Sequence, residues 1–363
     1  MIQYIECRDG TLTTQGIISD IKSIVWKTEY QGKGEFEVIV PYTAERWNWL
    51  QPDLFISRYD RDELGIIEKT TMKWAIGEGR QIQINGSFGL TYLERRVHCF
   101  NLNGDRAITR KVAEGTNVEA YLRNIVNLNL ISPVWGRRQL SAIQLGTLEN
   151  LTATSYLRFS TYQNALEFAV SMMNDTIEGK VYGHRMRFDR STKKLNYEVF
   201  EGQDRGIVFS QAFRNLNSFT YSIDKEQYKN LFIIGGQGEG KDRFWTYVDR
   251  ESNVTGATDR EFLFESSQQK TYNDDNGTEI TLTDVQYRQA LKNDCKGQFP
   301  EHFTAIDVSG EVDLSNLTFG TDYNVGDLVT IKDIESGIST TARIWSVTET
   351  QQEDYKIVAN FEG

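Results

Sequence analysis

The chain has 363 residues, of which 39% are hydrophobic and 12% aromatic, and its formal net charge is −11. This length exceeds one compact core, so we expect two to four domains, and the apolar content argues against global disorder. The acidic balance argues against non-specific nucleic-acid binding, which needs clustered lysine and arginine. No apolar run approaches the ~18 residues that a membrane-spanning helix requires.

Three widely spaced cysteines, Cys7, Cys99 and Cys295, form no Cys-x-x-Cys pair. We therefore expect free thiols in a chain that folds in a reducing compartment. The first residues lack a basic stretch followed by an apolar stretch, so no secretory signal is expected. These features predict synthesis in a cytoplasm.

Residues 1–98 have a hydrophobic period of two. Side chains in 35–40 and 80–85 alternate between polar and apolar, which is typical of half-buried strands. Glycine-rich or charged breaks separate the strands, and one short helical turn is expected near 43–50. The pattern predicts an N-terminal β-module over 1–98, either a small β-barrel or a sandwich.

Helical patterns begin after residue 98. The stripe of Val118, Leu122 and Ile125 predicts a helix, with Thr116 as its N-cap and Glu119 completing a capping box. A second helix is expected over 161–173, and a hairpin over 180–200. A third helix is expected over 283–296. Together these segments predict an α/β domain formed by 99–206 and 257–304.

The remaining segments, 207–256 and 305–363, return to strand patterns and predict a second β-barrel module that the α/β domain interrupts. Its sequence resembles that of the first module. Asp53-Leu54 and Asp327-Leu328 each open an apolar strand, and a Gly-Ile pair and an alternating strand follow each of them. We interpret this as one module present twice, although any two β-meanders share such features. Three chains could then present six similar faces to a six-fold partner.

The predicted fold class is therefore mainly β with α+β: two similar β-modules in one chain plus an inserted α/β domain. The segment 235–241 fits the phosphate-loop pattern G-x-x-x-x-G-K. Asp242 occupies the position of the magnesium-binding Ser or Thr, and a strand pattern follows where a helix is needed. The segment is instead predicted to be the tip of a long β-hairpin.

No motif indicates an active site. The histidines His98, His184 and His302 have neither each other nor a cysteine at metal-ligand spacing. The acidic clusters at 60–63 (Asp60, Asp62, Glu63) and 274–275 (Asp274, Asp275) are interpreted as solvated turn charges. Accordingly we assign no catalytic, cofactor-binding or metal-binding residue, expect no cofactor, and expect that the protein is not an enzyme.

The chain resembles the siphophage tail hub proteins, the short tail-associated lysin (Tal)-like family, which is related to contractile-tail baseplate hub proteins. The resemblance spans nearly the whole chain. The segments that carry it are Trp26 with 34–41, 86–96, 228–243, and 320–331 with 342–344 and Glu349. The hairpin sequence in 235–240 and the segment 322–329 are its moderately specific parts.

The resemblance implies a homotrimeric structural protein at the tail tip of a phage or prophage virion, made in the bacterial host. It also implies that the two β-modules are tube-like β-barrel modules in one chain, with the inserted α/β domain beside them. It implies a hub that caps the tail tube and opens for DNA, which passes through the lumen without specific binding. The implied partners are the distal tail protein, the tape-measure protein and the tail tube. Longer members carry fibre or peptidoglycan-cleaving domains, and this chain ends at Gly363, so lytic activity is not expected.

Two other functions stay open at the level of sequence. The many aromatic residues suit a carbohydrate-binding or receptor-binding β-protein of the virion. The many carboxylates also leave room for a cell-wall glycosidase or peptidase.

Overall fold

The computed structural model of the chain describes residues 2–77, 79–98, 110–160, 163–250, 259–273, 279–302, 305–313 and 317–362. Among these residues, no helix is both long and apolar enough to cross a membrane. The α-helices are α1 (Ala44–Trp49), α2 (Thr91–Glu94), α3 (Val118–Val126), α4 (Ala165–Asn174) and α5 (Asp284–Cys295).

Most of the regular structure is β. The strands of the N-terminal part are β1 (Ile5–Arg8), β2 (Thr14–Ile18), β3 (Ser23–Glu29), β4 (Glu35–Pro41), β5 (Phe55–Arg58), β6 (Leu64–Ala75) and β7 (Gly79–Ser87). Those of the middle are β8 (Arg110–Val112), β9 (Thr116–Asn117), β10 (Ile143–Leu145), β11 (Thr154–Ser155), β12 (Arg158–Ser160), β13 (Gly183–Asp189) and β14 (Lys194–Phe200).

The remaining strands alternate between two different sheets and a small hairpin. They are β15 (Asp204–Phe209), β16 (Thr220–Asp224), β17 (Leu231–Gly235), β18 (Trp245–Asp249), β19 (Glu261–Glu265), β20 (Thr271–Asn273), β21 (Glu279–Thr281), β22 (Ala305–Val312), β23 (Leu328–Asp333), β24 (Ile338–Gln351) and β25 (Tyr355–Glu362).

Thirteen of these strands form one continuous sheet. In the N-terminal part the hydrogen-bonded order is β3-β4-β7-β6-β5-β1-β2, and every pairing is antiparallel. Ile18 of β2 and Ile24 of β3 lie at opposite ends of this order yet share one buried cluster with Trp26. The sheet therefore curls around its own core, as a barrel does.

The C-terminal part repeats the strand order of the N-terminal part. Its antiparallel order is β16-β22-β25-β24-β23, which matches β3-β4-β7-β6-β5 strand for strand. The long central strand of each part has a register irregularity at the same place, at Glu68 in β6 and at Trp345 in β24. Two unrelated meanders would not share strand order and bulge position, so the structure supports a duplicated module.

The predicted helices form, with one correction at a helix start. Asn117, and not Thr116, caps α3, because its side chain accepts a hydrogen bond from the amide of Ala120 at 2.8 Å. Glu119 makes no capping box and instead accepts bonds from the Glu149 and Leu151 amides, 2.8 Å each. The box forms on α5, between Thr283 and Gln286.

The α/β part packs directly against the first module. Helices α3 and α4, the predicted hairpin β13–β14 and residues from β5, β6 and α2 share one buried cluster that includes Phe55, Leu64, Leu93, Leu122 and Phe188. The C-terminal module has a separate core, which includes Phe209, Val329 and Ile344. Consequently the apolar attachment of the α/β part is to the first module.

Strands β17, β18 and β19 form a three-stranded sheet of their own. Helix α5 covers one face of it, where Phe232, Ile234, Tyr287 and Leu291 form a fourth buried cluster. The sequence assignment placed β17 and β18 in the second β-module and β19 and α5 in the α/β domain, whereas they pack together in the structure. The polar segment 251–259 is expected from the sequence to be a linker, and its residues 251–258 lie outside the described residues.

Candidate functional site

The two modules are joined edge to edge by the second half of β24, which pairs antiparallel with β3 from Ser346 opposite Glu29 to Gln351 opposite Ile24. At the bulge, the Tyr30 amide donates to the Trp345 carbonyl at 2.9 Å. This main-chain pairing makes the two modules parts of one continuous sheet. We call this pairing the in-chain junction.

A buried ion cluster lies directly beneath the in-chain junction. The Arg58 guanidinium donates to Glu349 at 2.9 and 3.0 Å, and that of Arg61 donates to the same carboxylate at 2.9 and 2.8 Å. Asp60 accepts from Arg58 at 3.0 and 2.7 Å, and the Tyr355 hydroxyl bonds Glu349. The cluster therefore ties β5 of the first module to β24 of the second.

The ion cluster holds its charges in place despite burial. Burial alone would raise the pKa of Glu349, but the Arg58 and Arg61 guanidiniums outweigh it and hold that pKa below its usual range. The Arg58 side chain is fully buried and stacks on Trp26, with its guanidinium 5.5 Å from the ring centroid. Both carboxylate oxygens are thus committed to structural bonds.

One face of the joined sheet is polar across both modules. In the first module it carries Lys27, Glu29, Glu35, Glu37, Lys69, Thr71, Lys73, Gln83 and Asn85. In the second it carries Thr220, Ser222, Asp224, Ser309, Glu311, Ser346, Thr348, Thr350, Lys356 and Asn360. The apolar side chains on this face include Val25, Ile39, Pro41, Ala75 and Val358.

Cross-strand bonds confirm that these side chains share one face. Glu37 accepts from Gln83 at 2.6 Å and from Asn85 at 2.9 Å, and Asn360 donates to Ser346 at 2.9 Å. Among the described side chains, four lysines on this face stand against five carboxylates. A mixed, nearly neutral surface offers phosphate no cluster of cations to displace its counterions.

A cavity of about 760 Å³ lies where the two modules meet the α/β part. Its walls are charged, but the charges pair with each other. The Arg187 guanidinium lies 2.5 Å from Asp62, and that of Arg205 lies 2.9 Å from Asp327. Arg190 donates to the Arg61 carbonyl at 2.8 Å. The wall of the cavity therefore includes bonds that join the α/β part to the first module.

The acidic residues of the 60–63 turn are not simply solvated, which corrects the sequence interpretation. Asp60 bonds Arg58, Asp62 bonds Arg187, and Glu63 accepts a bond from the Trp26 indole at 3.3 Å. Burial, reinforced by the Asp62 charge, raises the pKa of Glu63 to about 7. No second carboxylate free of a cation lies beside Glu63 within this turn, so the pair that glycoside hydrolysis needs is not assembled here.

The other sequence candidates also have structural surroundings. Buried His184 donates from Nε2 to the Gln31 carbonyl at 2.8 Å and accepts at Nδ1 from the Tyr197 hydroxyl at 3.1 Å. Buried His98 stacks on Phe168. Within the described ranges no group of three or more His, Cys, Asp or Glu is placed to hold a metal ion. The His302 side chain and Asp274–Asp275 lie outside what the structure describes.

The phosphate-loop-like segment is a hairpin tip, as the sequence predicted. It connects antiparallel strands β17 and β18, and Gly238 and Gly240 adopt positive φ values of 104° and 54°. A substituent on Gly238 would approach the Asp242 carbonyl, so glycine is required there. The described cysteines, Cys7 and Cys295, are free and buried; Cys99 lies outside the described residues.

Sequence reasoning missed the two arginines of the ion cluster. Glu349 belongs to a segment that carries the family resemblance, but Arg58 and Arg61 drew no attention. Arg58 ends the strand Phe55–Arg58, all four residues of which are buried. A charged residue inside a buried strand needs a buried partner, and this was the available signal.

The fold is that of solved phage tail proteins. A tail protein from Neisseria meningitidis shares 12% identity, with a TM-score of 0.60 over 99% of this chain and 96% of that one. The 43 kDa tail protein of prophage MuSo2 from Shewanella oneidensis gives 11% and 0.56 over 99% and 98%. Prophage tail protein gp18 from Listeria monocytogenes gives 13% and 0.53 over 98% and 94%.

Sequence comparison agrees with the fold comparison. No curated protein matches the chain. The family model described as Siphovirus ReqiPepy6 Gp37-like protein matches residues 4–358, nearly the whole chain. The siphophage tail resemblance expected from the sequence is thereby confirmed at the level of a family. The chain belongs to the family of Siphovirus ReqiPepy6 Gp37-like proteins.

Proposed function

We propose that three copies of this chain form the hub at the tip of a phage or prophage tail, closing the tail tube and opening it for DNA. The family and the fold make the chain a structural component of a phage tail. The observation that carries the finer proposal is the duplicated module joined edge to edge. Three such pairs give a near six-fold ring that a six-fold tube can continue.

The polar face of the joined sheet is the proposed lumen wall. A lumen must be wettable and must not hold DNA, and a surface of amides, hydroxyls and balanced charges meets both needs. Phage DNA would then pass without specific binding. The hub's proposed partners are the tail tube, the distal tail protein outside the ring and the tape-measure protein inside it.

The cavity between the modules and the α/β part is the proposed site of the opening motion. The ion pair of Arg187 with Asp62, which joins the α/β part to the first module beside the cavity, can exchange partners, unlike a close-packed apolar core. No chemistry is required of the chain, and we propose that it has no enzymatic activity. Energy for opening would come from interfaces formed during assembly.

Light scattering on the purified chain tests the ring. We expect the mass of a trimer, and negative-stain images down the axis should show a near six-fold annulus with a central channel. A strict monomer at high concentration would overturn the proposal. Digestion of purified cell walls, lost on replacing Glu63, would instead favour an enzyme.

A carbohydrate-binding or receptor-binding role is a second candidate. Trp245 and Tyr247 of β18 and Leu263 of β19 are exposed on the face of the small sheet away from α5. Exposed aromatic rings are typical of glycan-binding surfaces, although these lie on a sheet face and not in a cleft. Binding of the chain to a glycan array, lost on replacing Trp245 by alanine, would support this role.

A further inference from the structure

We infer that the in-chain junction is repeated between neighbouring copies, through the second half of β6 on one chain and β16 on the next. This inference rests on the proposed ring and deepens it, because it names the strands, the register and the residues that join the copies. It starts from the duplication. Strand β6 is equivalent to β24, and strand β16 is equivalent to β3. Strand β6 can therefore pair with β16 of another copy in the way that β24 pairs with β3.

The two long strands match residue for residue. In the first module the Ile67 amide donates to the Leu54 carbonyl at 2.9 Å, and Ile67 O accepts from the Asp53 amide at 2.8 Å. In the second module Ile344 makes the same two bonds, with Asp327 at 2.9 Å and Gly326 at 2.7 Å. The bulged residue follows in each strand, so residues 68–74 are equivalent to residues 345–351.

The two outer strands match in the same way. Asn85 pairs with the first residue after the bulge of β6, and Asn360 pairs with the first residue after the bulge of β24. Following the pairings outward from these asparagines leads to Val25 in the first module and to Thr220 in the second. Residues 219–225 are therefore equivalent to residues 24–30.

In the described structure both equivalent edges are open. Strand β6 pairs with β5 only as far as Ile66, and none of its residues after the bulge has a strand partner on that side. Strand β16 pairs only with β22. Met72 is 41% exposed, Trp74 69% and Ile223 60%. Open edges that present apolar side chains are what a neighbouring chain pairs with.

Transferring the in-chain register to these edges produces complementary pairs. Lys69 falls opposite Asp224 of the neighbouring copy, in the position of Ser346 opposite Glu29. Glu68 falls beside Lys225, in the position where Trp345 meets Tyr30. In the first of these pairs the cation belongs to β6, and in the second it belongs to the neighbouring copy. A shift of the register by two residues would break both pairs.

The apolar residues also meet on one face. Met72 falls opposite Tyr221, Trp74 opposite Phe219, and Thr70 opposite Ile223, all on the face where the in-chain junction has Trp26 and Glu349. The opposite face pairs Thr71 with Ser222 and Lys73 with Thr220. The new junction would therefore continue the polar face around the ring and keep the apolar side chains on its outer side.

The occupant of the open β6 edge is therefore β16 of a second copy. The contact is head to tail, because β6 and β16 are different strands, one in each module of the chain. A head-to-tail contact makes a closed ring when the rotation closes, and a chain that holds two of six equivalent modules closes after three copies.

Disulfide cross-linking tests the register. Thr71 and Ser222 are equivalent to Thr348 and Lys27, which lie three positions from the hydrogen-bonded pair Trp345–Tyr30. Because hydrogen-bonded and non-hydrogen-bonded pairs alternate, Thr71 and Ser222 would form a closely spaced, non-hydrogen-bonded pair. In a Cys99→Ser background, Thr71→Cys with Ser222→Cys should give a covalent trimer under mild oxidation. Each single variant alone should give none, and a mixture of the two single variants should give covalent dimers.

The shifted pair Thr71→Cys with Thr220→Cys is the matched control, because its diagonal spacing of about 7–8 Å is too long for a disulfide. A trimer by light scattering that cross-links no better through the matched pair than through the shifted one would overturn the junction and leave the ring standing. A monomer by light scattering would overturn both. Cross-links in either single variant would indicate a two-fold contact and overturn the head-to-tail arrangement.

Discussion

The two β-modules of this chain have the same strand order but meet different surroundings at the same strand. The second half of β24 is covered by β3, and Val347 and Glu349 are buried there. The equivalent half of β6 has no such cover, and Met72 and Trp74 are exposed. The contrast indicates that the in-chain junction forms when the chain folds, whereas the equivalent edge of β6 stays open until another chain pairs with it.

The side chains at equivalent positions fit this division. Glu349, which anchors the ion cluster, is equivalent to Met72. A buried carboxylate is costly without its cations, so it suits a joint whose partner is always present in the same chain. Methionine can be exposed before assembly and buried after it, because it carries no charge to desolvate.

The segments after the paired strands differ as well. Past β3, the Tyr30 hydroxyl bonds the Val181 carbonyl at 3.0 Å, and the Gln31 side chain bonds the Tyr182 carbonyl at 2.6 Å. Past β16, the equivalent residues Lys225 and Glu226 are exposed. The first module is thus held by the α/β part at the point where the second is free to meet another chain.

Removing the anchor of the in-chain junction should give the largest effect. In Glu349→Ala, the fully buried Arg58 keeps Asp60 but loses its other partner, and breaking a buried pair costs about 3–5 kcal/mol. We expect that loss in the free energy of unfolding, measured with urea. Glu265→Gln, which breaks the exposed pair with Arg243, is the control and should cost less than about 1 kcal/mol. Equal effects in both variants would contradict the anchoring role.

Acid should weaken the attachment of the first module to the α/β part through His184. Burial lowers the pKa of His184 to about 4, against an ordinary value near 6.5. As the pH falls through this window, the unfolded chain takes up the proton first, so the folded state loses stability. The full shift corresponds to about 3 kcal/mol.

Urea unfolding at several pH values between 7 and 4 measures this loss. His184→Asn should be less stable throughout but should lack this part of the acid slope, because asparagine does not titrate. An unchanged slope in the variant would show that other groups carry the acid sensitivity. Glu349 acts in the same direction at lower pH, since its lowered pKa means that its stabilisation is lost as the pH falls through that value.

The sequence predicted those features of the two modules that depend on neighbouring residues, and it missed those that depend on contacts between distant segments. Strand alternation predicted two β-modules, because it is a local pattern. The Asp-Leu and Gly-Ile markers are not structurally equivalent, since matching Ile67 to Ile344 places Asp53 on Gly326 and Gly65 on Ala342. The bulges at Glu68 and Trp345, which fix the equivalence, depend on pairing with distant strands and leave no local mark. The placement of β17 with α5 was missed because packing between segments about 50 residues apart decides it.

The same difference between local and long-range interactions applies to the candidate site. The absence of a phosphate loop followed from Asp242 and the strand after it, which are adjacent in sequence. The ion cluster joins Arg58 to Glu349 across 291 positions, so no pattern in one segment could pair them. The cap of α3 was misplaced by one residue because Thr116 and Asn117 both have capping side chains, and the backbone decides between them.

A smaller effect, on assembly and not on folding, is expected when Trp74 is replaced by alanine. Trp74 touches the proposed neighbour but is 69% exposed in the single chain, so Trp74→Ala should leave the unfolding curve of the monomer nearly unchanged. Loss of a large aromatic contact should raise the concentration at which the trimer dissociates by about tenfold or more, or about 1.4 kcal/mol. Sedimentation velocity over a dilution series measures this. Trp135→Ala is the control, since Trp135 is exposed on the α/β part.

The smallest effect, and the sharpest for the register, concerns the charges of the open edges. Lys69→Glu should place two carboxylates opposite each other across the junction, and Asp224→Lys should place two ammonium groups there. Each reversal should weaken the trimer by roughly 0.2–1 kcal/mol, because a cross-strand charge pair contributes that much. The double variant restores opposite charges and should recover the affinity, and added salt should reduce all three differences. Additive weakening in the double variant would mean that these side chains do not meet. The junction between copies would then not have the register of the in-chain junction.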